Sequence, residues 1–350
     1  MYSFKEIDNA WEWNNFIIQW NFDFYTFLQS WEWGELQKEL GKDILRYWIL
    51  NDGKLVWVSL VLKIKAKRWS YLFLPHWPLI IKSEEYFLAF WELLTHLKQL
   101  WKEQWFDFIR CNSPIKNTLE NKKASKLLWA INAPMHEHVE DTHLLDISLP
   151  AEDLLKNMKK GDRYYINRAI KEWVEIRLWN DAEHIQTLID MHISHSKREN
   201  GKHTYTPFSE KFTKSLYKHF WENISTISAT YDWKVESILM TIKFWEVCVY
   251  YIAASDIKHA KFSPNYLCQW EAIKKAQADW CRIYNFWWVS PDNNPKHPIA
   301  WVSKFKRKFS WYDYSLLHAQ DYPLSFKYRW NYTIETLRRK KRWYYYKKPS

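Results

Sequence analysis

Glycine is scarce in this chain: 5 of its 350 residues are glycine, whereas 26 are tryptophan. Ordinary globular proteins contain about 7% glycine and roughly 1% tryptophan. Together the two residue types make up an ordinary share of this chain. We therefore expect many of the tryptophans to occupy positions where glycine normally stands.

Long apolar runs and paired cysteines are absent as well. There is no run of about 18 apolar residues, which argues against a membrane span. The four cysteines, Cys111, Cys248, Cys268 and Cys281, show no CxxC spacing, so a zinc ribbon or a disulfide scaffold is disfavoured and reduced thiols are expected. The first residues do not have the pattern of a signal peptide. These features predict a cytoplasmic protein.

The chain has enough apolar sequence to build a large core, with 47% hydrophobic and 26% charged residues. Its length predicts two domains. A short helix, several strands, a long helix and a further strand are predicted on each side of Pro150. We therefore predict an α/β protein with a first domain over residues 1–148 plus 317–350 and a second domain over residues 149–316.

The predicted turns show where tryptophan replaces glycine. Asn51-Asp-Gly-Lys54 has the composition of a hairpin turn in which glycine supplies a positive φ. Asp232-Trp-Lys234 takes the same place between two strand-like runs, although a bulky residue resists positive φ. We hypothesise that the source organism reads a UGA codon as glycine and that this codon was translated here as tryptophan. The alternative is a genuinely tryptophan-rich protein whose indoles pack in the core or bind sugars.

This hypothesis predicts two groups of tryptophans. Those expected in tight turns, exposed or with positive φ, are Trp69, Trp77, Trp173, Trp233, Trp245 and Trp280. Those in amphipathic or strand contexts that suit a true indole are Trp13, Trp31, Trp33, Trp270 and Trp287. The coding DNA decides the matter, because TGG codons at the turn positions would refute the hypothesis.

The formal net charge of +11 is concentrated in three basic stretches. Residues 338–348 contain seven lysines and arginines, and residues 159–171 and 304–308 contain further groups. Arg163 shares a predicted helix face with Asn167 and Lys171. Such stretches are typical of an RNA or nucleotide partner. The alternative is a set of solvated surfaces with a frayed chain end.

Three longer segments together resemble the Fem (FemABX) peptidoglycan aminoacyltransferases. The first is Phe27-Leu-Gln-Ser-Trp-Glu-Trp-Gly-Glu-Leu-Gln-Lys38, and the second is residues 158–174, where Trp173 stands at a family glycine. The third runs from residue 264 to residue 307 and includes His297-Pro-Ile-Ala-Trp-Val-Ser-Lys-Phe-Lys-Arg307. Trp77, Trp288 and Trp301 also stand at family glycines. The resemblance runs over nearly the whole chain.

The resemblance implies two tandem acetyltransferase-like (GNAT) domains, each a mixed twisted sheet flanked by helices. It implies transfer of an amino acid from aminoacyl-tRNA, the co-substrate, to the side-chain amine of the peptidoglycan stem peptide. The acceptor is UDP-MurNAc-pentapeptide or a lipid-linked precursor, bound by the first domain, with the tRNA on the side of the second. The chain resembles the short members that lack a helical-arm insertion. No further cofactor is implied, and we expect a monomer, with a peripheral membrane contact left open.

The resemblance also assigns roles to individual residues. Lys306, preceded by Phe305, is expected near the tRNA 3′ end, where its cation stabilises the tetrahedral intermediate or the leaving ribose oxygen. The alternative for Lys306 is a surface lysine in a basic run. The residues expected to bind the acceptor or RNA are Gln37 or Lys38 and Arg198 for the acceptor phosphates, Tyr251 for a hydrogen bond to the acceptor, and Arg163 for RNA or a local cap.

Two positions depart from the family pattern. Asn285 stands where the family often has aspartate, and Asn112-Ser113 precede Pro114 where an acid is common. Neither asparagine nor serine can act as a carboxylate base. The sequence therefore favours a substrate-assisted mechanism, in which the proton passes through the substrates.

Other chemistry is disfavoured. His136, His138 and His143 match no standard zinc spacing, and we predict a solvated loop there and no metal. No GxSxG motif occurs, and no loop for the pyrophosphate of acetyl-CoA is found even with tryptophan read as glycine. The two rival functions are a GNAT-fold transferase acting on a lipid or protein amine and a non-enzymatic basic RNA-binding module.

Overall fold

The computed structural model describes residues 2–20, 22–80, 85–197, 205–256, 260–291 and 295–341. The chain divides into two compact units. Unit 1 comprises residues 1–141, 290–300 and 314–350, and unit 2 comprises residues 142–289 and 301–313.

Unit 1 is built on one sheet whose strands come from both ends of the chain. Its elements are β1 (Tyr2–Glu6), α1 (Ala10–Gln19), α2 (Trp31–Glu39), β2 (Asp43–Asn51), β3 (Lys54–Lys65), β4 (Ser70–Pro75), β5 (Leu79–Ile80), α3 (Tyr86–Gln104), β6 (Phe108–Asn112), α4 (Leu119–Leu127), β7 (Ile131–Asn132), β15 (Gln320–Pro323) and α11 (Tyr328–Lys341). The strand order is β1-β2-β3-β4-β6-β15-β7, with β5 paired to β3. β4 and β6 are parallel, whereas β15 is antiparallel to both β6 and β7.

The second sheet has the order β14-β8-β13-β12-β11-β10-β9. The elements in this part of the chain are β8 (Asp141–Asp146), α5 (Ala151–Asn157), α6 (Lys160–Lys171), β9 (Glu175–Leu178), α7 (Ala182–Ser196), α8 (Glu210–Phe220), β10 (Ile224–Tyr231), β11 (Lys234–Phe244), β12 (Val247–Ser255), α9 (Pro264–Ala278), β13 (Ile283–Trp288), α10 (Ala300–Lys306) and β14 (Tyr312–Ser315). β12 and β13 are parallel. α9 lies against this sheet and buries Leu267, Trp270 and Ile273.

The predicted pair of mixed sheets flanked by helices is therefore confirmed. The boundary of the first unit differs from the prediction, which placed β8 in the first domain. β8 lies in the second sheet because it pairs with β13 along Asp146↔Ile283 and Leu145↔Tyr284. Residues 290–300 belong to unit 1 rather than to unit 2.

Four of the six suspected turn tryptophans have positive φ. Trp173, Trp233, Trp245 and Trp280 have φ of 59°, 60°, 53° and 64°. Three of these indoles, at 173, 233 and 280, are 86–88% exposed. In this left-handed region the Cβ of any L-residue crowds the backbone, so these four sites favour glycine. The codon hypothesis itself stays a prediction.

Three other tryptophans differ from expectation. Trp77 is fully buried and Trp69 half-buried, and neither has positive φ. Trp287, expected to suit a true indole in a strand, has a φ of 62°. Trp13 does suit one, because its buried ring nitrogen donates to the carbonyl of Gln29 at 2.8 Å.

Candidate active site

β12 and β13 pair for only part of their length in unit 2. Their parallel register covers Val247–Val249 against Ile283–Asn285, although β12 continues to Ser255 and β13 to Trp288. Parallel strands that stop pairing while both continue leave an opening at the sheet surface. This opening, defined by residues 250–252 and 286–288, is the candidate active site.

Two irregularities produce the opening. On β13, the Asn285 side chain accepts a hydrogen bond from the Trp287 backbone at 2.8 Å, and the register with β8 shifts between Asn285 and Trp288. The positive φ of Trp287 lies at the same place. On β12, the register with β11 passes from Ile252 to Tyr250, so Tyr251 is the extra residue of a bulge. Bulges re-aim side chains beside active sites.

Lys306 is buried at this opening. It ends α10 and is only 6% exposed. Its ammonium donates to the carbonyl oxygen of Trp288 at 2.8 Å and lies 5.3 Å from the ring centre of Tyr250. The interpretation of Lys306 as a surface lysine is therefore wrong, although its neighbour Lys304 is exposed.

Burial lowers the pKa of Lys306 to about 7. The carbonyl of Trp288 and the face of the Tyr250 ring both favour the charged form, but neither carries a full negative charge that would offset the lost hydration. At neutral pH this amine therefore exchanges a proton readily. Such a group can both stabilise an anion and pass a proton to it.

Phe305 has a packing role in the structure. Its ring contacts Tyr266 and Phe309 edge to face, with centroids 5.0 and 5.4 Å away. It packs against the hydrophobic core beneath the second sheet. These contacts fix the end of α10 and hence the position of the neighbouring Lys306.

Tyr251 lies at the β12 bulge among aromatic rings. Its ring stacks on Phe208 with centroids 5.4 Å apart and meets Trp287 at 6.1 Å. Burial raises the pKa of Tyr251, so the hydroxyl stays protonated and remains able to donate a hydrogen bond. Tyr251 contacts Trp287 and Lys306 contacts Trp288, so the two residues meet neighbouring positions at the end of β13.

Of the two arginines expected to bind substrate, one lies among the described residues. Arg163, in α6, donates to the carbonyl of Lys156 at 3.0 Å and thereby caps the last turn of α5, which agrees with the local-cap interpretation. Arg198 lies outside the described residues, and its phosphate role stays a prediction.

In unit 1 the first motif forms a clasp around Arg46. The Arg46 guanidinium donates to the carbonyl of Trp31 at 2.8 Å and pairs with Glu35 at 2.8 Å. It also lies 3.5 Å from the centre of the Trp31 ring. A Cβ on Gly34 would lie 2.1 Å from this guanidinium, so Gly34 admits the close approach. Trp31, Gly34 and Glu35 of the first motif therefore serve to hold the guanidinium of Arg46.

Gln37 and Lys38, the two candidates for the position of the phosphate-binding lysine, differ in burial. Gln37 is buried, whereas Lys38 is half-exposed and pairs with Glu35 at 3.0 Å. The cation at the tip of the Gln37 side chain comes from Lys42, whose Nζ donates to Gln37 Oε1 at 2.7 Å. Burial lowers the pKa of Lys42.

Sequence reasoning missed Lys42, although a signal was present. Gly41, with φ of 83°, follows the last turn of α2. The backbone of Gly41 bonds to Lys38 and that of Lys42 to Gln37, the pattern of a glycine-terminated helix. This turn sends the Lys42 side chain back along the helix that it has just left.

The histidine loop is less exposed than predicted. His138 is partly buried and stacks on Phe73 with centroids 5.4 Å apart. Glu140 is buried and pairs with His136 and His318 at 3.2 and 2.8 Å. The prediction of a solvated loop is therefore wrong. Among the described residues no group of three or more His, Cys, Asp or Glu side chains is arranged to hold a metal.

Asn285 and Asn112, which stand at the two positions that depart from the Fem pattern, are both buried. Asn285 bonds to Thr142 and to the Trp287 backbone, so it organises the β13 irregularity. Asn112 ends β6. Its buried amide has no hydrogen-bond partner within the described part of the chain. Because both side chains are uncharged, neither position buries a negative charge.

Comparison with known proteins agrees with this architecture. Residues 156–294 match the acetyltransferase (GNAT) domain family, and no curated protein matches the sequence. FemX has a similar fold, with a TM-score of 0.78 at 14% identity over 95% of this chain and 100% of that chain. L-PGS from Bacillus licheniformis gives 0.56 at 12% over 98% and 99% of the two chains. The tandem GNAT protein from the clavulanic acid biosynthesis pathway gives 0.55 at 9% over 93% and 99%.

The chain thus contains an acyltransferase domain of the GNAT type within a tandem GNAT fold. The Fem resemblance drawn from the motifs is confirmed at the level of the fold. None of the helices in the described ranges combines the length and the apolar character needed to cross a membrane.

Proposed function

We propose that this chain transfers an amino acid from aminoacyl-tRNA to the side-chain amine of the peptidoglycan stem peptide on a UDP- or lipid-linked precursor. The observation that carries the proposal is Lys306, a buried amine with a pKa of about 7 at the opening between β12 and β13. The fold similarity to FemX and to L-PGS supports an aminoacyl rather than an acetyl group.

The reaction is the aminolysis of an activated ester. The acceptor nitrogen forms a bond to the ester carbonyl carbon, and the carbonyl oxygen carries the negative charge of the tetrahedral intermediate. The bond from carbon to the ribose oxygen then breaks. The proton that the nitrogen loses ends on the ribose hydroxyl, so atoms and charges balance. The protein's task is to hold amine and ester in line and to stabilise the oxyanion.

Lys306 can act on both the oxyanion and the leaving ribose oxygen. As an ammonium it stabilises the oxyanion, and with a pKa of about 7 it gives a proton to the leaving oxygen at little cost. The Trp288 carbonyl holds the amine in place. Asn285 is occupied in shaping β13 and cannot serve as a base. The proton of the acceptor amine therefore passes through the substrates and replaces the proton that Lys306 gives to the leaving oxygen, so the net transfer is from the nitrogen to the ribose oxygen.

For the acceptor we propose Lys42 as the phosphate-binding cation of unit 1. Its ammonium lies at the tip of Gln37, the position to which the motif assigns the phosphate ligand. The charge of Glu137 offsets the burial of this ammonium only in part, and an anionic diphosphate would add a second counter-charge. Lys38 is already paired with Glu35 on the surface.

Transfer of a radiolabelled aminoacyl group to a UDP-linked pentapeptide tests the proposal. Two proteins are assayed: the chain with all its tryptophans, and the product of a gene recoded with glycine at the positive-φ positions. We expect Lys306→Met to reduce transfer by about a hundredfold or more, the scale of losing one oxyanion donor. Lys304→Met removes an exposed charge from the same helix, and this matched control is expected to stay active.

Four outcomes would contradict the proposal. Equal loss in both variants would mean that the basic run, rather than Lys306, matters. Transfer to a phospholipid or protein amine in place of the stem peptide would favour the first rival function. RNA binding without transfer to any amine would favour the binding module. Full activity with acetyl-CoA in place of aminoacyl-tRNA would show that the donor is acetyl-CoA.

A further inference from the structure

Helix α11 of unit 1 carries an apolar stripe on its outer side. Phe326, Trp330, Ile334 and Leu337 recur at four- and three-residue intervals, which places them along one face of the helix and its entry turn. Phe326 is 87% and Leu337 60% exposed. Only one of the four is a tryptophan, so the stripe does not depend on the residue that naturally stands at position 330.

The inner side of the same helix is polar and engaged with the sheet. Glu335 pairs with Arg110 at 2.7 Å, and the Tyr328 hydroxyl donates to Asp321 at 3.0 Å. Asn331 is buried between them along the helix. This is the reverse of an ordinary surface helix, which turns its apolar stripe to the core. The orientation is fixed because rotating the helix would strand the buried Arg110 charge.

Cations border the stripe on both sides. Lys327 and Arg338 lie beside it on one flank, and Arg329 and Lys340 lie beside it on the other. All four are exposed. An apolar centre with basic flanks is the pattern of a helix that lies in the plane of a membrane interface. RNA would use the cations and leave the apolar stripe in water, and a second copy would bring like charges together.

An apolar groove continues the stripe. It has a volume of about 660 Å³ and is lined by Ile131, Leu324, Phe326, Tyr332 and neighbouring residues. Arg329 also lines it, so a cation stands beside an apolar cleft. Such a cleft suits a hydrocarbon chain whose anionic headgroup stays at the surface.

We propose that the outer face of α11, defined by Phe326, Ile334, Leu337 and the four flanking cations, docks on an anionic phospholipid surface. The inference does not rest on the proposed transfer reaction. It places unit 1 beside a bilayer through one face of α11. The apolar residues enter the headgroup boundary and the cations attract the lipid phosphates.

Flotation with lipid vesicles tests this docking. The full chain is mixed with phosphatidylcholine vesicles and with vesicles that also contain phosphatidylglycerol. We expect binding to the anionic vesicles only. Phe326→Ser with Leu337→Ser should weaken it by about tenfold or more, and Arg338→Gln with Lys340→Gln by about 25-fold, at about fivefold per cation. Leu119→Ser with Leu127→Ser changes two exposed leucines of α4, and this control should bind like the unchanged chain.

Each alternative has its own result. Undiminished binding of the Phe326/Leu337 variant would overturn the proposal, because basic residues alone would then explain it. Displacement of the protein from vesicles by polyuridylate, with no effect of the apolar substitutions, would assign the face to RNA. A dimer in sedimentation that the same substitutions dissociate would assign it to a second copy. Transfer to the soluble UDP-linked acceptor without vesicles is unaffected by the Phe326/Leu337 variant, so the two proposals fail separately.

Discussion

Replacing Lys306 by methionine should stabilise the protein in acid and lose that advantage as the pH rises. Methionine keeps most of the length and the apolar stem of lysine but has no charge to bury. The substitution also removes the hydrogen bond that Lys306 donates to the carbonyl of Trp288, a cost of about 1 kcal/mol that does not change with pH. The pH-dependent part therefore isolates the buried charge.

The magnitude follows from the lowered pKa. A fall from 10.5 to about 7 means that keeping Lys306 charged costs the native state about 5 kcal/mol when the pH is below 7. Between the two pKa values the unfolded chain holds a proton that the native protein has released, so the free energy of unfolding rises with pH. From about pH 6 to about pH 9 it should rise by about 3 kcal/mol relative to the Lys306→Met variant.

Urea unfolding of both proteins at the two pH values measures this difference. The unfolding transition of unit 2 is followed, because Lys306 lies there. Comparing the two proteins at each pH cancels the titration of all other groups. A difference in unfolding free energy that stays constant between the two pH values would show that Lys306 titrates normally, and the reasoning from burial to a near-neutral amine would fail.

Four further outcomes are expected. In the transfer assay, kcat/KM should fall above about pH 7 for the unchanged enzyme but not for Lys306→Arg, whose charge persists. Lys42→Gln should raise KM for the UDP-linked acceptor about tenfold with little change in kcat, whereas Lys38→Gln should change neither, and equal effects would refute the assignment. Trp233→Gly should raise the free energy of unfolding by about 1 kcal/mol by removing left-handed strain. Arg110→Met should lower it by about 3–5 kcal/mol, because two buried carboxylates lose their partner; no change in thermal denaturation would contradict this.

The architecture could be predicted because it repeats in the sequence. The order of strands and helices on each side of Pro150 indicated two mixed sheets, and the three motifs indicated the tandem GNAT fold. The boundary at β8 could not be predicted in the same way. A strand of six residues between two domains pairs equally well with either sheet as far as its pattern shows, and the choice depends on β13, more than a hundred residues away.

Lys306 could be singled out from the sequence, whereas the residues that surround it in the structure could not. Its neighbours in the sequence are basic, so the pattern alone favours a surface lysine, and only the family resemblance singled it out. Tyr250, whose ring lies under the ammonium, was missed because it sits one residue from the chosen Tyr251 across a bulge. A bulge reverses the alternation of side chains, and the β12 sequence gives no sign of one.

The tryptophans show at which positions a positive φ could be predicted from the residues of a turn. At Trp233 and Trp280 a short polar connection between two elements demanded a positive φ, and the structure has it. Trp77 precedes a proline inside the first unit, where packing rather than turn geometry decides, and it is fully buried. Trp287 was assigned to a regular strand, but the Asn285 side chain bends that strand.

The position of β15 between two strands of the first sheet has a consequence for synthesis on the ribosome. β15 lies between β6 and β7, yet it is made roughly two hundred residues after them. Until then β6 offers an unpaired edge, and Arg110 awaits the carboxylates of Asp321 and Glu335. The first sheet therefore stays incomplete while the middle of the chain is translated. Any nascent chain released before residue 320 would expose sticky strand edges to chaperones and proteases.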